Sequence, residues 1–521
     1  MASAITSSTA PIRQSRKGLP PIGLFAAALI VALVAIIPLI YVAVYTITIG
    51  WDEAYRLIVR PRVGELLSNT TRLTLATLPL CAVIGTGSAW LVERTNLPGR
   101  RTWTVLLAAP LAVPAFVNSF AWVSLTYRVE GFAGAVLVIT LSYYPFVFLP
   151  VAATLRGLDP ALEETARSLG NGPVRTFFRV VMPQLRTAMV GGMLLVGLHL
   201  LGEFGALQML RFPTFTVAIY DQYQSTFNGP AANMLASVLV AGCALLLLAE
   251  LTLRGHARYA RIGAGAARQA TEVRLGKFTP LALAAMAALV MLALGVPFWS
   301  LAHWMREGTT TDFPVHDLTT TAISTLKLGI AGAALTTLAA LPVAWLSVRH
   351  RSVVSTLIER STYTAHALPG IVVALALVTV AIRYAEPIYQ STTLLLIAYA
   401  ILFLPLAMVS LRAALLQAPP ALDEAARSLG ARPISVLGRV TLPLIAPGVG
   451  AGAALVFLAV VTELTATLLL APTGTDTLAV RFWSNSDSIA YGAAAPYAVL
   501  MVAISAPATL LLTHHARRSQ R

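Results

Sequence analysis

Long apolar stretches separated by short polar and basic segments make up most of this chain. A helix needs about 20 residues to cross a hydrocarbon core of about 30 Å. Stretches of that length lie near 22–47, 70–92, 103–127, 132–155, 187–209, 231–253, 279–301, 322–348, 363–382, 392–415, 445–470 and 492–513. No strand-like alternation competes with them, and open sheet edges are not viable in lipid. The pattern predicts an all-α polytopic membrane protein with about twelve spanning helices.

The two halves of the chain repeat each other. The clearest match is a polar segment, Pro160 to Gly170 in the first half and Pro420 to Gly430 in the second, which differ at only two positions. Six predicted spans per half is an even number, so both halves enter the membrane from the same side. The sequence therefore predicts two parallel six-helix repeats.

The domain boundaries and the orientation follow from where charge collects. The predicted order is a tail at 1–21, a first half at 22–253, a basic linker at 254–278, a second half at 279–513 and a tail at 514–521. The polar loops lie at 159–183 and 419–443. Most Lys and Arg residues fall in the termini, the linker and the segments on the side of these loops, which predicts that all of them are cytoplasmic. The first apolar run is too long for a signal-peptide core, so it is predicted to remain as the first helix.

Composition supports membrane insertion and excludes several functions. Apolar residues make up 57% and charged residues 11%, against about 45–50% and about 25% in soluble domains. The net charge of +15 is explained by cytoplasmic loops and by a linker lying on anionic lipid, so no nucleic-acid partner is expected. Cys81 and Cys243 stand alone in apolar runs, and no metal site or catalytic group is indicated.

An ATP-binding loop is also missing from the sequence. The Gly276-Lys277 pair has Thr271 where a phosphate-binding loop needs its first Gly. The chain is therefore predicted not to be an enzyme, and any ATP must be hydrolysed by a separate subunit.

Each repeated polar segment has the pattern of a short helix, with acidic residues in the first turn and Gly just past the end. Leu162, Ala166 and Leu169 recur at helical spacing and are expected on one face. Two interpretations are open: an amphipathic surface helix between spans, or a docking element for a partner with two equivalent sockets. The close match between the copies favours docking. The predicted contact residues are Glu164, Ala166, Gly170, Glu424, Ala425, Ala426 and Gly430.

A second pair of equivalent residues, Glu203 and Glu463, lies inside apolar runs. A carboxylate there is costly unless it faces protein or water. It is either a structural hydrogen-bonding acid or an acid on the translocation path, and both interpretations stay open. His199, one turn before Glu203, is a possible partner for it.

The repeated segment resembles the E-A-A-x-x-x-G loop of binding-protein-dependent ABC importer permeases. Glu424-Ala425-Ala426, Gly430 and Leu442-Pro443 fit the pattern, whereas Thr165 and Met182 depart from it in the first half. The resemblance covers essentially the whole chain, as two permease subunits fused in one. It implies alternating access in a bacterial inner membrane, with two copies of a cytoplasmic ATPase that uses the ATP and a periplasmic or lipid-anchored binding protein. It implies no cofactor bound by this chain itself.

Further segments are similar to the fused permeases for ferric iron. They lie at 201–206, 211–216, 220–223, 462–470 and 472–477. Thr465 stands where that pattern usually has Pro. Fused thiamine permeases share the architecture, so thiamine or another small solute stays open as the substrate. An ion-coupled secondary transporter is the alternative from another class.

Overall fold

The computed structural model describes residues 22–254, 272–307, 315–366, 368–431 and 433–518. Almost all of these residues are helical, and among them the only β pairing is an isolated bridge between Thr95 and Val273. The predicted tail at 1–21, most of the linker and the last three residues lie outside the described residues. The predicted all-α polytopic fold is confirmed.

The first half contains thirteen helices within the described residues. They are α1 (Ile22–Thr48), α2 (Trp51–Ile58), α3 (Pro61–Arg94), α4 (Arg100–Ala108), α5 (Ala115–Leu125), α6 (Gly131–Tyr143), α7 (Pro145–Gly157), α8 (Ala161–Ser168), α9 (Pro173–Thr176), α10 (Met182–Gly202), α11 (Gly205–Met209), α12 (Phe215–Gln224) and α13 (Gly229–Arg254).

The second half has twelve α-helices within its described residues. Its helices are α14 (Thr279–Val290), α15 (Val296–Glu307), α16 (Val315–Arg349), α17 (Val353–His366), α18 (Gly370–Tyr384), α19 (Thr392–Gln417), α20 (Pro420–Ser428), α21 (Pro433–Val436), α22 (Leu442–Val461), α23 (Thr465–Leu470), α24 (Leu478–Asp487) and α25 (Tyr491–Arg518). A π-helical turn leads into α10 at Phe177–Val181 and into α22 at Leu437–Thr441.

The number of full-length spans is smaller than the predicted twelve. Nine helices of the described chain are long and apolar enough to cross a membrane, and a bent pair, Arg100–Ala112 with Ala115–Leu125, makes a tenth. Two shorter apolar helices, Gly370–Tyr384 and Tyr491–Pro507, occupy the ninth and twelfth predicted runs.

Proline explains why the third and ninth runs are not single straight helices. Pro114 and Pro369 precede α5 and α18, each with an extended ψ near 145°. A residue before proline is disfavoured in helical conformation, and proline cannot donate the backbone hydrogen bond that would continue the helix. The bend between α4 and α5 reaches 88°, which an apolar run of constant composition does not reveal.

The first span of each half packs against the other half. Helix α1 lies against α16, α17 and α18, whereas α15 lies against α5. The buried residues Ala28, Ala32 and Ala35 of α1 accordingly belong to the second-half core. The domain boundaries predicted from the sequence follow the repeat along the chain. That each half is a separate domain stays a prediction.

The halves also meet through small residues beside the paired acids. A Cβ added at Gly202 would lie 3.8 Å from Pro369 Cα, and one added at Gly205 would lie 2.8 Å from Leu464 Cδ2. Small residues of this kind let helices approach closely in a membrane. The segments that carry Glu203 and Glu463 therefore form part of the contact between the halves.

Candidate functional site

The two repeated polar segments fold as short helices, α8 and α20, with the same C-terminal cap. Gly170 and Gly430 have φ of +82° and +83°, a conformation that costs glycine little and other residues more. The Gly430 N–H donates to Arg427 O at 2.9 Å, and the Ala431 N–H donates to Ala426 O at 3.1 Å. Gly170 and its neighbours repeat both bonds, so each helix ends in a Schellman motif.

The exposed surface of each short helix differs from the predicted one. Leu169 and Leu429 are 77% and 88% exposed. Ala166 is 8% exposed and buried within this chain, where α8 packs on α9 and the π-helical turn. The expectation that Ala166 faces a partner is wrong, since an alanine buried inside the chain offers no surface to another protein. Ala426 is half-buried, and Glu164, Gly170, Glu424, Ala425 and Gly430 are exposed.

The three residues of the predicted apolar face in the first segment differ in burial. Leu162 and Ala166 lie on the helix and turn towards the protein, whereas Leu169 occupies the cap. The Leu169 N–H donates to Thr165 O at 3.1 Å, so helical spacing extends to Leu169, but its side chain is exposed at the end of the helix. An exposed leucine just before the cap glycine is thus the most prominent apolar group on each segment.

The paired glutamates end α10 and α22 and cap the short helices that follow. The Ala206 N–H donates to Glu203 Oε1 at 3.0 Å. In the second half, the N–H groups of Ala466 and Thr467 donate to the two carboxylate oxygens of Glu463 at 2.8 and 2.9 Å. These donors belong to the first turns of α11 and α23, which lack partners within their own helices. The structural interpretation of the two acids has a clear physical basis here.

The remaining bonds of the two carboxylates differ between the halves. Tyr143 donates its hydroxyl to Glu203 Oε2. Glu463 Oε2 instead accepts from Thr467 Oγ1 at 2.6 Å, and that hydroxyl pairs with Tyr399 at 2.8 Å. Tyr144, the counterpart of Tyr399, is fully buried, and its hydroxyl has no hydrogen-bond partner among the described residues. The first half therefore binds its carboxylate through a neighbouring tyrosine.

Sequence reasoning did not single out Tyr143. His199, considered as the partner of Glu203, has its ring centroid 4.4 Å from that of Phe146 and 5.6 Å from that of Tyr143. Its Nδ1 lies 2.9 Å from Leu195 O. Tyr143 comes from α6, distant in sequence from Glu203, so only the tertiary fold brings the two together.

Arginines at the ends of α3 and α16 were also missed. Arg94 lies 3.1 Å from Glu163, and Arg349 lies 3.6 Å from Asp423. The internal repeat carried a signal for them, because both arginines follow an Ala-Trp-Leu triplet at the same distance. Within the described residues no group of three or more His, Cys, Asp or Glu side chains could hold a metal ion.

Two equivalent halves, broken helices that meet at their contact and a repeated, capped surface helix define a polytopic permease. The comparison with known families agrees with this class. The chain belongs to the binding-protein-dependent transport system inner membrane component family, whose pattern matches residues 82–261 and again 333–521. It is therefore an inner-membrane permease of the ABC importer type, with two family domains in one chain.

Characterised relatives match either the whole chain or one half of it. The Fe(3+)-transport system permease protein FbpB 2 of Haemophilus influenzae is 38% identical over 501 residues, which cover 95% of this chain and 99% of that protein. The sulfate transport system permease protein CysT of Escherichia coli is 30% identical over 266 residues, 46% of this chain and 95% of CysT.

The hydroxyl of Tyr143 should stabilise the fold through Glu203. We expect Tyr143→Phe to lower the free energy of unfolding by about 1.5–3 kcal/mol, since the buried carboxylate loses a donor. Tyr144→Phe is the matched control, because it removes an adjacent buried hydroxyl without a described partner and should change little. Thermal unfolding of the purified proteins in detergent measures both. Equal losses of stability in the two variants would contradict the assignment.

Proposed function

We propose that this permease imports ferric iron, delivered by a binding protein and driven by a separate ATPase. The choice of substrate rests on the similarity to a protein named for Fe(3+) transport, which extends along nearly the full length of both chains. The sulfate permeases match only one half at a time, with lower identity. Iron is the cargo in this proposal, and the described residues hold no cluster of three or more His, Cys, Asp or Glu side chains that could bind it as a resident metal.

Uptake by the reconstituted complex tests the substrate. Proteoliposomes containing the permease and its ATPase receive binding proteins loaded with ferric iron, sulfate or thiamine in turn. We expect ATP-dependent accumulation of iron alone. Liposomes that receive iron without a binding protein provide the background. Accumulation of sulfate or thiamine in place of iron would refute ferric iron as the substrate, but it would not change the class of transporter.

We infer that α8 and α20 are coupling helices for two copies of the ATPase, on the cytoplasmic side. Support comes from their shared geometry: each presents an exposed leucine beside a left-handed glycine at the end of a short helix. A leucine of this kind gains about 1.5–3 kcal/mol when a socket buries it. The exposed Glu164 and Glu424 offer charge to basic groups on the partner. ATP is used by that partner, and this chain binds no cofactor of its own.

Substitution at the exposed cap tests the coupling helices. Leu429→Asp puts a charge in the socket, and Gly430→Asp strains a backbone with φ of +83°. Both should leave the permease in the membrane but weaken its association with the ATPase and its stimulated ATP hydrolysis. Val353→Asp is the control, since Val353, the first residue of α17, is also an exposed apolar residue, at 79%. Normal association and stimulation in both cap variants would overturn this role.

We also propose that the charge of Glu203 acts on the translocation path. Support comes from its place beside Gly202 and Gly205, which contact the second half. Alternating access requires the contact between the halves to open and close, so a carboxylate there meets a cationic cargo as it passes. Capping uses only part of this group: Glu203 accepts one backbone N–H, whereas Glu463 accepts two.

Glu203→Gln separates the path role from the capping role. The amide oxygen still accepts from Ala206, but the amide nitrogen can only donate, so the variant loses the charge together with the acceptor of the Tyr143 hydroxyl. Tyr143→Phe loses the same hydrogen bond and keeps the charge, so it is the matched comparison. We expect several-fold slower iron uptake in Glu203→Gln than in Tyr143→Phe. Glu463→Gln serves as the comparison and should lose stability, because one amide oxygen cannot replace two carboxylate acceptors. Wild-type uptake in Glu203→Gln would reduce this residue to a structural cap.

A further inference from the structure

A buried ion pair joins each short polar helix to the end of a long helix in its own half. In the first half, Arg94 Nη2 lies 3.1 Å from Glu163 Oε1, with the two side chains 5% and 15% exposed. In the second half, Arg349 Nη2 lies 3.6 Å from Asp423 Oδ2, with 11% and 12% exposed. These are the least exposed ion pairs among the described residues for which both exposures are given.

The two pairs occupy equivalent positions. Arg94 is the last residue of α3 and Arg349 is the last residue of α16. Glu163 and Asp423 stand immediately before Glu164 and Glu424 in the repeated segment. The acid changes length between the halves, yet the charge and the contact are kept, although the loops after the two arginines differ.

The side chains of the second pair make additional hydrogen bonds. Arg349 also donates to Ala418 O at 2.9 Å, and Thr441 donates to Asp423 Oδ1 at 2.8 Å. Thr441 belongs to the π-helical turn before α22, so the second pair connects three segments of its half.

In the first half, the end of the linker lies beside the pair and bonds to the backbone of Arg94. The Val273 N–H donates to Arg94 O at 2.8 Å, and the Asn96 N–H donates to Val273 O at 3.2 Å. Val273 also lines a small cavity with Arg94, Glu163 and Phe177. The pair of Arg94 and Glu163 therefore lies between α8 and the end of the linker.

A buried ion pair is a stiff connection, because separating the charges leaves each one desolvated and uncompensated. Helix α3 packs along α7 and α10, and α16 packs along α19 and α22. A displacement of α8 or α20 that preserves the pair must therefore carry the end of α3 or α16 with it. An apolar contact at the same place could slide, since dispersion and burial have little direction.

We propose that Arg94 and Arg349 are positioning residues for energy coupling. Each holds a coupling helix to the end of a long membrane helix, so that movement imposed by the ATPase reaches the core of that half. The role rests on the proposed function of α8 and α20. It assigns transmission of movement to the buried faces of these helices and ATPase binding to their exposed faces.

Charge reversal and charge exchange test the proposal in the full complex with ATPase and binding protein. Arg349→Glu and Asp423→Arg should each keep the ATPase bound and hydrolysing ATP, but lower transport per ATP hydrolysed by about tenfold, the size of a typical coupling energy. The exchanged double variant, Arg349→Glu with Asp423→Arg, should recover most of the loss. Arg94 and Glu163 form a second, independent set.

The exposed pair of Arg62 and Glu65, at 58% and 49%, provides the control, and its exchange should leave transport unchanged. Wild-type transport per ATP in the single reversals overturns the inference. So does an exchanged variant as impaired as its parents, or single variants that fail to accumulate and are not rescued by the exchange. Failure of the wild-type chain to bind any ATPase instead refutes the proposed function, so the two failures are distinguishable.

Discussion

Every backbone N–H in the membrane needs a partner, and this constraint shapes the centre of the protein. Lipid provides no hydrogen bonds, so a broken helix must satisfy its free donors within the protein. Helices α10 and α22 break where the halves meet. The carboxylates of Glu203 and Glu463 accept hydrogen bonds from N–H groups in the first turns of the next helices, α11 and α23. Without these caps, the short helices α11 and α23 would leave unsatisfied donors in an apolar environment. The contact between the halves depends on them.

The twofold repeat of the chain is kept in geometry but not in every contact. Both cap glycines, both breaking prolines and both buried ion pairs recur in the two halves. The backbone cap recurs at both acids. The side-chain hydrogen bonds do not, since Tyr143 donates directly to Glu203, whereas Thr467 mediates between Glu463 and Tyr399. A fused chain permits this divergence, because each half always meets the same partner half and a change on one side need not suit both.

In the proposed coupling role, each short helix of about two turns has separate tasks on its two opposite faces. Exposed leucines and left-handed glycines form the outer face, and the ion pairs form the inner face. A short helix is too small to be rigid by itself, since helical hydrogen bonds stabilise only longer segments in isolation. Its rigidity must come from the protein beneath it, which is where the buried arginines lie.

The sequence by itself determined the class of the protein: apolar runs gave the helices, charge gave their predicted orientation, and the repeated segment gave the family. The left-handed conformation of Gly170 and Gly430 was also predictable, because it depends on local backbone sterics. The tertiary structure alone decided the burial of Ala166, the pairing of Tyr143 with Glu203 and the packing of α1 on the opposite half. These depend on contacts between residues far apart in the chain, and an apolar run carries no information about which neighbour it will meet. The breaks at Pro114 and Pro369 lie between the two cases, since the residue type permits a break but only packing fixes the angle between the helices on either side.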